Sequence, residues 1–392
     1  MAWEGARCIL MLPARWVSGP STGLLPWRSR RKLLCDPISI LYPRLWIDLD
    51  NSPHVPLFAP LIRQLRREGW DIRITARDFA QTLDLVDQLK IDAVAVGAHA
   101  GRSKIKKLAN LPVRAVQLIR AVRRFRPQIA LSHGSRTQAL ASRLLGIPQI
   151  VMFDYEWTEM SILKRFATHL VCPEALTPER LTASGIGVEK VSWYHGFKEE
   201  MYLPEFVPDP SFRASIGVGG ERRLITIRPP GLIGNYHDPR SEELCRSILA
   251  RAAADPANYL VILPKTRLER QLVDSALPAG PAAGVLIPER ALPGLQLLHY
   301  SNLAISGGGT MNRESALLGV PTYSIFTGRR AAIDEELARR GLLRFIGRPE
   351  EIEGIDWRGE SPEFHASSSL QRNTTLVVEI RDMIAKFAAL HT

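Results

Sequence analysis

From Leu45 onward, short apolar runs alternate with amphipathic stretches, and this alternation constrains the fold more than any other feature of the chain. Leu45–Leu49, Ile72–Thr75, Ala93–Val96, Ile129–Leu131 and Gln149–Phe153 read as strands buried on both faces. Between them, helical patterns span about 57–68, 79–89, 110–125 and 136–145. Strand, helix and strand at this spacing predict parallel βαβ units with right-handed crossovers. The pattern weakens over 195–221, where Pro and Gly accumulate, and then restarts. Leu224–Ile227, Leu260–Leu263, Gly284–Ile287, Leu303–Ile305 and Thr322–Ile325 read as strands, with helices near 241–254, 266–275, 311–318 and 331–340. A last periodic helix is expected from about Ser369 to Leu390. The predicted class is therefore α/β, with two Rossmann-like domains facing a cleft and a hinge near 196–208. The expected divisions are 1–44, an extension; 45–200, the first domain; 201–370, the second; and 371–392, a C-terminal helix. In such sheets, ligands bind outside the carboxyl ends of the strands.

Charge qualifies this picture. The 392 residues carry a net charge of +11, which by itself suggests a polyanionic partner. Residues 1–44 hold seven basic and two acidic residues, and residues 102–126 hold nine basic and none acidic. The remainder is slightly acidic, so a general nucleic-acid binder is not expected. Within 102–126, Val113, Val116, Ile119 and Val122 recur every three residues and are expected to pack on the sheet. The charged face is then a solvated helix or, second, a patch for an anionic membrane. Residues 1–44 scatter Trp, Pro, Gly and Arg without period, a composition expected of a disordered extension or an over-extended translation start. Four cysteines without CxxC argue against a structural zinc site or a disulfide framework. No transmembrane run or clear export signal is present, so a cytoplasmic protein is expected.

The strongest local signal is Ser306-Gly307-Gly308-Gly309-Thr310, where a strand ends, a glycine turn follows and a helix begins. Glycines let backbone N–H groups approach an anion, and a helix N-terminus adds partial positive charge. The spacing matches neither the dinucleotide fingerprint nor the P-loop. Glu314, one helical turn on, is placed to accept hydrogen bonds from ribose hydroxyls. Arg228, at the end of the first strand of the second half, is a candidate phosphate partner. Asn235-Tyr236-His237-Asp238 follows in the same loop. In the first half, the loop Asp50-Asn51-Ser52-Pro53-His54 follows the first strand, and His54 is a candidate general base. Ser132-His133-Gly134-Ser135 and Asp154-Tyr155-Glu156-Trp157 follow two further strands. Asn51, Ser52, His133, Gly134, Ser135 and Glu156 are candidate sugar or acceptor contacts, although Ser135 suits a plain N-cap equally well. Asp334 could meet a sugar hydroxyl or cap its helix. Asp154 is the second candidate base.

The segments WIDLDNSPHVPLFAPLIRQL, LSHGSRTQALASRLLGIPQIVMFDYEWTE, Arg228-Pro229-Pro230 and SGGGTMNRESALLGVPTYSIF resemble a prokaryotic family known as domain of unknown function 354. The likeness covers about residues 45–390. The family in turn resembles the glycosyltransferase-B superfamily, which includes UDP-N-acetylglucosamine 2-epimerases and the N-acetylglucosaminyltransferase of peptidoglycan lipid intermediate II. The resemblance implies an acceptor side in the first domain and a nucleotide-sugar side in the second. It implies phosphates at Gly308, Gly309 and Thr310, ribose at Glu314, and His54 near the reacting centre. Departures exist: Asn51-Ser52-Pro53 replaces a glycine-rich loop, Arg228-Pro229-Pro230 replaces the epimerases' histidine-arginine segment, and their catalytic carboxylates are not clearly reproduced. Three functions are thus expected as alternatives: a metal- and cofactor-independent glycosyltransferase using a UDP-sugar and a sugar or lipid-linked acceptor, a nucleotide-sugar 2-epimerase, and a non-catalytic nucleotide-sugar or polysaccharide binder.

Overall fold

A computed structural model describes residues 43–98, 104–157, 160–219, 221–232, 238–359 and 375–391. The expected extension and Asn235–His237 lie outside these residues. All paired strands are parallel, because each is followed by a helix or loop that carries the chain back across the sheet.

The first sheet takes β1 (Leu45–Leu49), β2 (Ile72–Asp78), β3 (Val94–Ala98), β4 (Ile129–His133), β5 (Gln149–Met152), β6 (His169–Pro173) and β7 (Val191–Tyr194) in the order β3-β2-β1-β4-β5-β6-β7. Its main helices are α1 (His54–Arg67), α2 (Thr82–Gln88), α3 (Lys104–Val122) and α4 (Arg136–Leu145), followed by the short α5 (Ser161–Phe166) and α6 (Pro178–Ala183). Two strands, β6 and β7, go beyond the five expected from sequence. The second sheet takes β8 (Arg223–Arg228), β9 (Asn258–Ile262), β10 (Gly284–Leu286), β11 (Leu303–Ser306), β12 (Thr322–Ser324) and β13 (Arg344–Phe345) in the order β10-β9-β8-β11-β12-β13. After the one-turn α7 (Phe212–Ser215), its helices are α8 (Pro239–Ala253), α9 (Arg267–Ala276), α10 (Gly294–His299), α11 (Thr310–Leu317) and α12 (Ala332–Arg339). A last helix, α13 (Leu376–His391), joins the core of the first sheet through Leu376, Ile380, Ile384 and Phe387, which pack with α1 side chains.

Both sheets share one consequence of this order. The strand sequence reverses direction between β1 and β4 in the first sheet and between β8 and β11 in the second. At such a switch point the following loops part to opposite faces and leave a crevice.

Two expectations change. Val113 and Val116 do not pack on the sheet; they are 52% and 44% exposed, and the buried side of α3 is Arg114, Ala115, Leu118 and Val122. A strict three-residue repeat drifts around a helix of 3.6 residues per turn, so Ile119 and Val122 reach the core while Val113 and Val116 do not. The start of the expected hinge is also not loose. Phe197 through Leu203 are buried in 3₁₀ turns wedged against α1, α11 and α13, and the exposed link is confined to about 204–211.

Candidate active site in the cleft

At the first switch point, the loops after β1 and β4 bring His54 and His133 together, with ring centroids 5.0 Å apart. His133 Nε2 lies 3.4 Å from Asp154 Oδ1, which comes from the loop after β5. His54 opens α1 and is partly exposed, yet its Nδ1 is buried without a hydrogen-bond partner. Burial, together with the neighbouring His133 and Lys198, holds the His54 ring well below the usual imidazole range. It is therefore neutral at pH 7, with an unprotonated ring nitrogen, and the same depression weakens it as a proton acceptor.

Asp154 sits in the opposite condition. Despite burial, which alone would raise its proton affinity, the Lys198 ammonium and the Arg313 guanidinium hold its carboxyl well below the ordinary range. A carboxylate held by two cations is a poor proton acceptor. Its position is structural as well as electrostatic, because Lys198 follows β7 and Arg313 belongs to α11 of the second sheet. Arg313 also donates from Nε to Asp334 Oδ1 at 2.9 Å.

At the second switch point, Arg228 ends β8 in register with Ser306 at the end of β11. Gly307 donates to the Arg228 carbonyl at 3.1 Å. Ser306 ties the turn from its side chain, donating to Asn312 Oδ1 at 2.5 Å and accepting from Gly308 N–H at 3.1 Å. Gly308 and Gly309 have φ of +101° and +91°, a region closed to most side chains. A methyl group at Gly307 would lie 2.4 Å from Pro230 Cα, so the backbones touch there. Each glycine of the turn thus has a steric reason to be glycine. Gly309 is the N-cap of α11, Thr310 its first residue, and no side chain caps that end. Its first N–H groups remain available to an anion.

Arg228 is half-buried and has no ion-pair partner within 4.0 Å among the described residues; burial lowers its pKa while Glu269 and Glu314 hold it up. Glu314 accepts a hydrogen bond from Tyr202 Oη at 2.7 Å. Burial nevertheless raises its carboxyl to about 7.

Other predicted residues are spent locally. Asn51 Oδ1 accepts from Ser52 N–H at 2.9 Å, and Ser52 Oγ accepts from Gln81 N–H at 3.1 Å. Ser135 is fully buried: it donates to Asp48 Oδ2 at 2.7 Å and caps α4 by accepting from Gln138 N–H at 3.2 Å. Gly134 adopts φ +66° and donates to the Met152 carbonyl at 2.9 Å. Glu156 is buried, accepting from Arg180 Nε at 2.7 Å and from Ala332 N–H at 3.0 Å. Asp334 does not cap α12; its partner is Arg313.

Sequence reasoning passed over Lys198, Glu199, Tyr202 and Arg313. The last stands beside Glu314 in the segment already singled out, and a charged residue inside an otherwise buried helix was the available signal. Glu199 is fully buried with neither carboxylate oxygen hydrogen-bonded, and its carboxyl is raised by that burial. Among the described residues no group of three or more His, Cys, Asp or Glu side chains is placed to hold a metal ion. Among the same residues no helix is long and apolar enough to cross a membrane.

The fold is that of known solved structures. UDP-GlcNAc 2-epimerase from Neisseria meningitidis, solved bound to UDP-GlcNAc, superposes with TM-score 0.70 at 17% identity, covering 88% of this chain and all of that one. The S. aureus MnaA–UDP co-structure gives TM-score 0.71 at 14% identity, over 89% of this chain and 97% of that one. The glycotransferase of kitacinnamycin gives TM-score 0.56 at 15% identity, over 88% and 99%. The two parallel sheets are thus a glycosyltransferase-B-like arrangement. By sequence, the uncharacterized protein MJ0665 of Methanocaldococcus jannaschii is 26% identical over 307 residues, covering 76% of this chain and 86% of that protein. With its family model matching residues 43–355, the chain belongs to the family described as protein of unknown function DUF354.

Proposed function

We propose that the protein binds a UDP-sugar in the cleft and transfers the sugar to an acceptor hydroxyl. The observation that carries this reading is the convergence of two complementary sets of groups at the two switch points. The histidine pair His54 and His133 lies on one side; a glycine turn, a helix N-terminus and an arginine without an ion-pair partner among the described residues lie on the other. Arg313, one residue from Glu314, reaches Asp154 of the first sheet and links the two sets.

In this reading His54 takes the acceptor hydroxyl's proton, the acceptor oxygen bonds to the anomeric carbon, and the bond from that carbon to the diphosphate oxygen breaks. The charge developing on UDP meets the first N–H groups of α11 and the Arg228 guanidinium, placed before the reaction begins. Glu314 accepts from the ribose hydroxyls. Asp154 serves by orienting Lys198 and Arg313 rather than as a base. The acceptor is a sugar or a lipid-linked sugar entering from the first sheet.

The full-length match to UDP-GlcNAc 2-epimerases supports a second reading, in which the same cleft removes a proton at the sugar's second carbon and eliminates UDP. Incubation with UDP-sugars in deuterated water separates the two. Transfer or hydrolysis releases UDP with no deuterium at that carbon; epimerisation incorporates it. Tight binding with no turnover across a panel of acceptors would leave neither reading standing and point to a binding protein.

A further inference from the structure

The end of the first sheet opposite the cleft carries a feature that the cleft chemistry does not use. Arg44 stands immediately before β1, Arg73 lies at the start of β2, and Arg123, Arg124 and Arg126 lie in the turn before β4. Since β1 pairs with β2 and with β4 in parallel, with Leu45 opposite both Ile72 and Ile129, the sheet itself gathers these five arginines. Arg44, Arg123, Arg124 and Arg126 line an open cavity of about 640 Å³ around Phe125. The Arg73 guanidinium carbon stands 5.4 Å from the Phe125 ring centroid, held over its face. Arg44 Nε donates to the Arg126 carbonyl at 2.8 Å, which fixes the Arg44 fork while leaving its terminal amino groups free of that bond.

None of the five has a carboxylate within 4.0 Å among the described residues. Several other exposed arginines, among them Arg240, Arg270, Arg339 and Arg348, each pair with an acid. Nor do residues 1–43 bring compensation by composition, having only Glu4 and Asp36 against six basic residues. Like charges held together without counter-ions repel, and a bound anion relieves that repulsion. Planar guanidinium forks match the oxygens of a phosphate in pairs.

We propose that Arg44, Arg73, Arg123, Arg124 and Arg126 form a second anion site, built for phosphate esters, at the amino ends of β1, β2 and β4. The five residues of β1 separate it from the cleft by about 17 Å. A phosphate bound here therefore does not reach the glycine turn, and the site is an anchor rather than a substrate pocket. Phospholipid headgroups and soluble phosphate esters present the same chemistry. The exposed face of α3 favours the former, because Val113 and Val116 are followed at helical spacing by Arg120 and Arg123, which places exposed apolar groups beside cations on one stripe.

The test uses the full chain and its Arg123→Ser/Arg124→Ser variant. A variant of equal charge loss, Arg246→Ser/Arg267→Ser on α8 and α9, controls for bulk electrostatics. All four positions are exposed, so the variants are expected to fold. Cosedimentation is measured with phosphatidylcholine vesicles, with and without phosphatidylglycerol, and inorganic pyrophosphate is titrated by calorimetry. The expected result is binding only to vesicles containing phosphatidylglycerol, weakened about tenfold or more by the pocket variant and little by the control. Pyrophosphate binding lost in the pocket variant alone, with vesicles ignored, assigns the site to a soluble phosphate ester. Equal effects of the two variants, or no binding of either probe, overturns the proposal.

Discussion

Arg114 shows what burial does to one of the nine basic residues of the 102–126 stretch. It makes a two-pronged pair with Asp48, at 2.9 and 3.0 Å, and donates from Nε to the Val96 carbonyl at 3.1 Å, all beneath the loops of the first switch point. Removing one partner of such a pair leaves an uncompensated charge in the core. Arg114→Met is therefore expected to cost about 3–5 kcal/mol in urea denaturation, and adding Asp48→Asn should recover part of that loss. Glu314 carries the pH dependence. Burial raises its carboxyl from 4.5 to about 7, so below neutrality it holds a proton and accepts ribose hydroxyls less well. UDP affinity is predicted to rise severalfold from pH 6 to pH 8, measured by calorimetry. The terminal phosphate of UDP titrates in the same window, near pH 6. Glu314→Gln isolates the protein's share, because the part of the slope due to Glu314 should vanish in that variant.

At the scale of elements, the turn between β11 and α11 is where sequence and structure meet most closely. Gly309 has φ +91° and open space where a side chain would begin. Gly309→Ala should fold at a cost of about 1–3 kcal/mol, since only the backbone conformation, φ +91° with ψ −163°, opposes it. The same methyl group would stand over the helix N-terminus, and UDP affinity should fall by about tenfold or more, a 1.4 kcal/mol effect that calorimetry resolves readily. The glycine turn was legible in the sequence because glycine reports backbone conformation directly. The central strands and long helices were legible because apolar spacing reports burial. Strands β6 and β7 were not, since HLVCP and VSWY are short, carry polar residues and are separated only by the six-residue α6 and its flanking loops. The exposed face of α3 was misplaced because a salt-bridged arginine can occupy a core position that apolar patterning assigns to valine. Lys198 and Arg313 escaped for a similar reason: their role depends on a carboxylate that folding brings from more than forty residues away in sequence.

Across the whole molecule, the cleft is tied together on one flank. The loop after β5 holds the loop before α12: Tyr155 Oη donates to the Arg329 carbonyl at 3.2 Å, Trp157 Nε1 to the Arg330 carbonyl at 2.9 Å, and the Arg329 guanidinium lies against the Trp157 ring. Arg180 joins the same contact by pairing with Glu156 and with Glu335 of α12. Such a flank holds the loops of the two sheets together at one edge of the cleft. Of the nine basic residues of 102–126, Arg123, Arg124 and Arg126 lie at the end of the first sheet opposite the cleft, and Arg114 is neutralised by Asp48 inside it. The central claim is that the switch point of the second sheet holds a nucleotide diphosphate. Calorimetric titration of UDP into the wild-type chain and into Arg228→Ala tests it most directly. One-to-one binding by the wild type, weakened about tenfold or more in Arg228→Ala, is expected. Absence of UDP binding, or equal affinity in the two proteins, would contradict it.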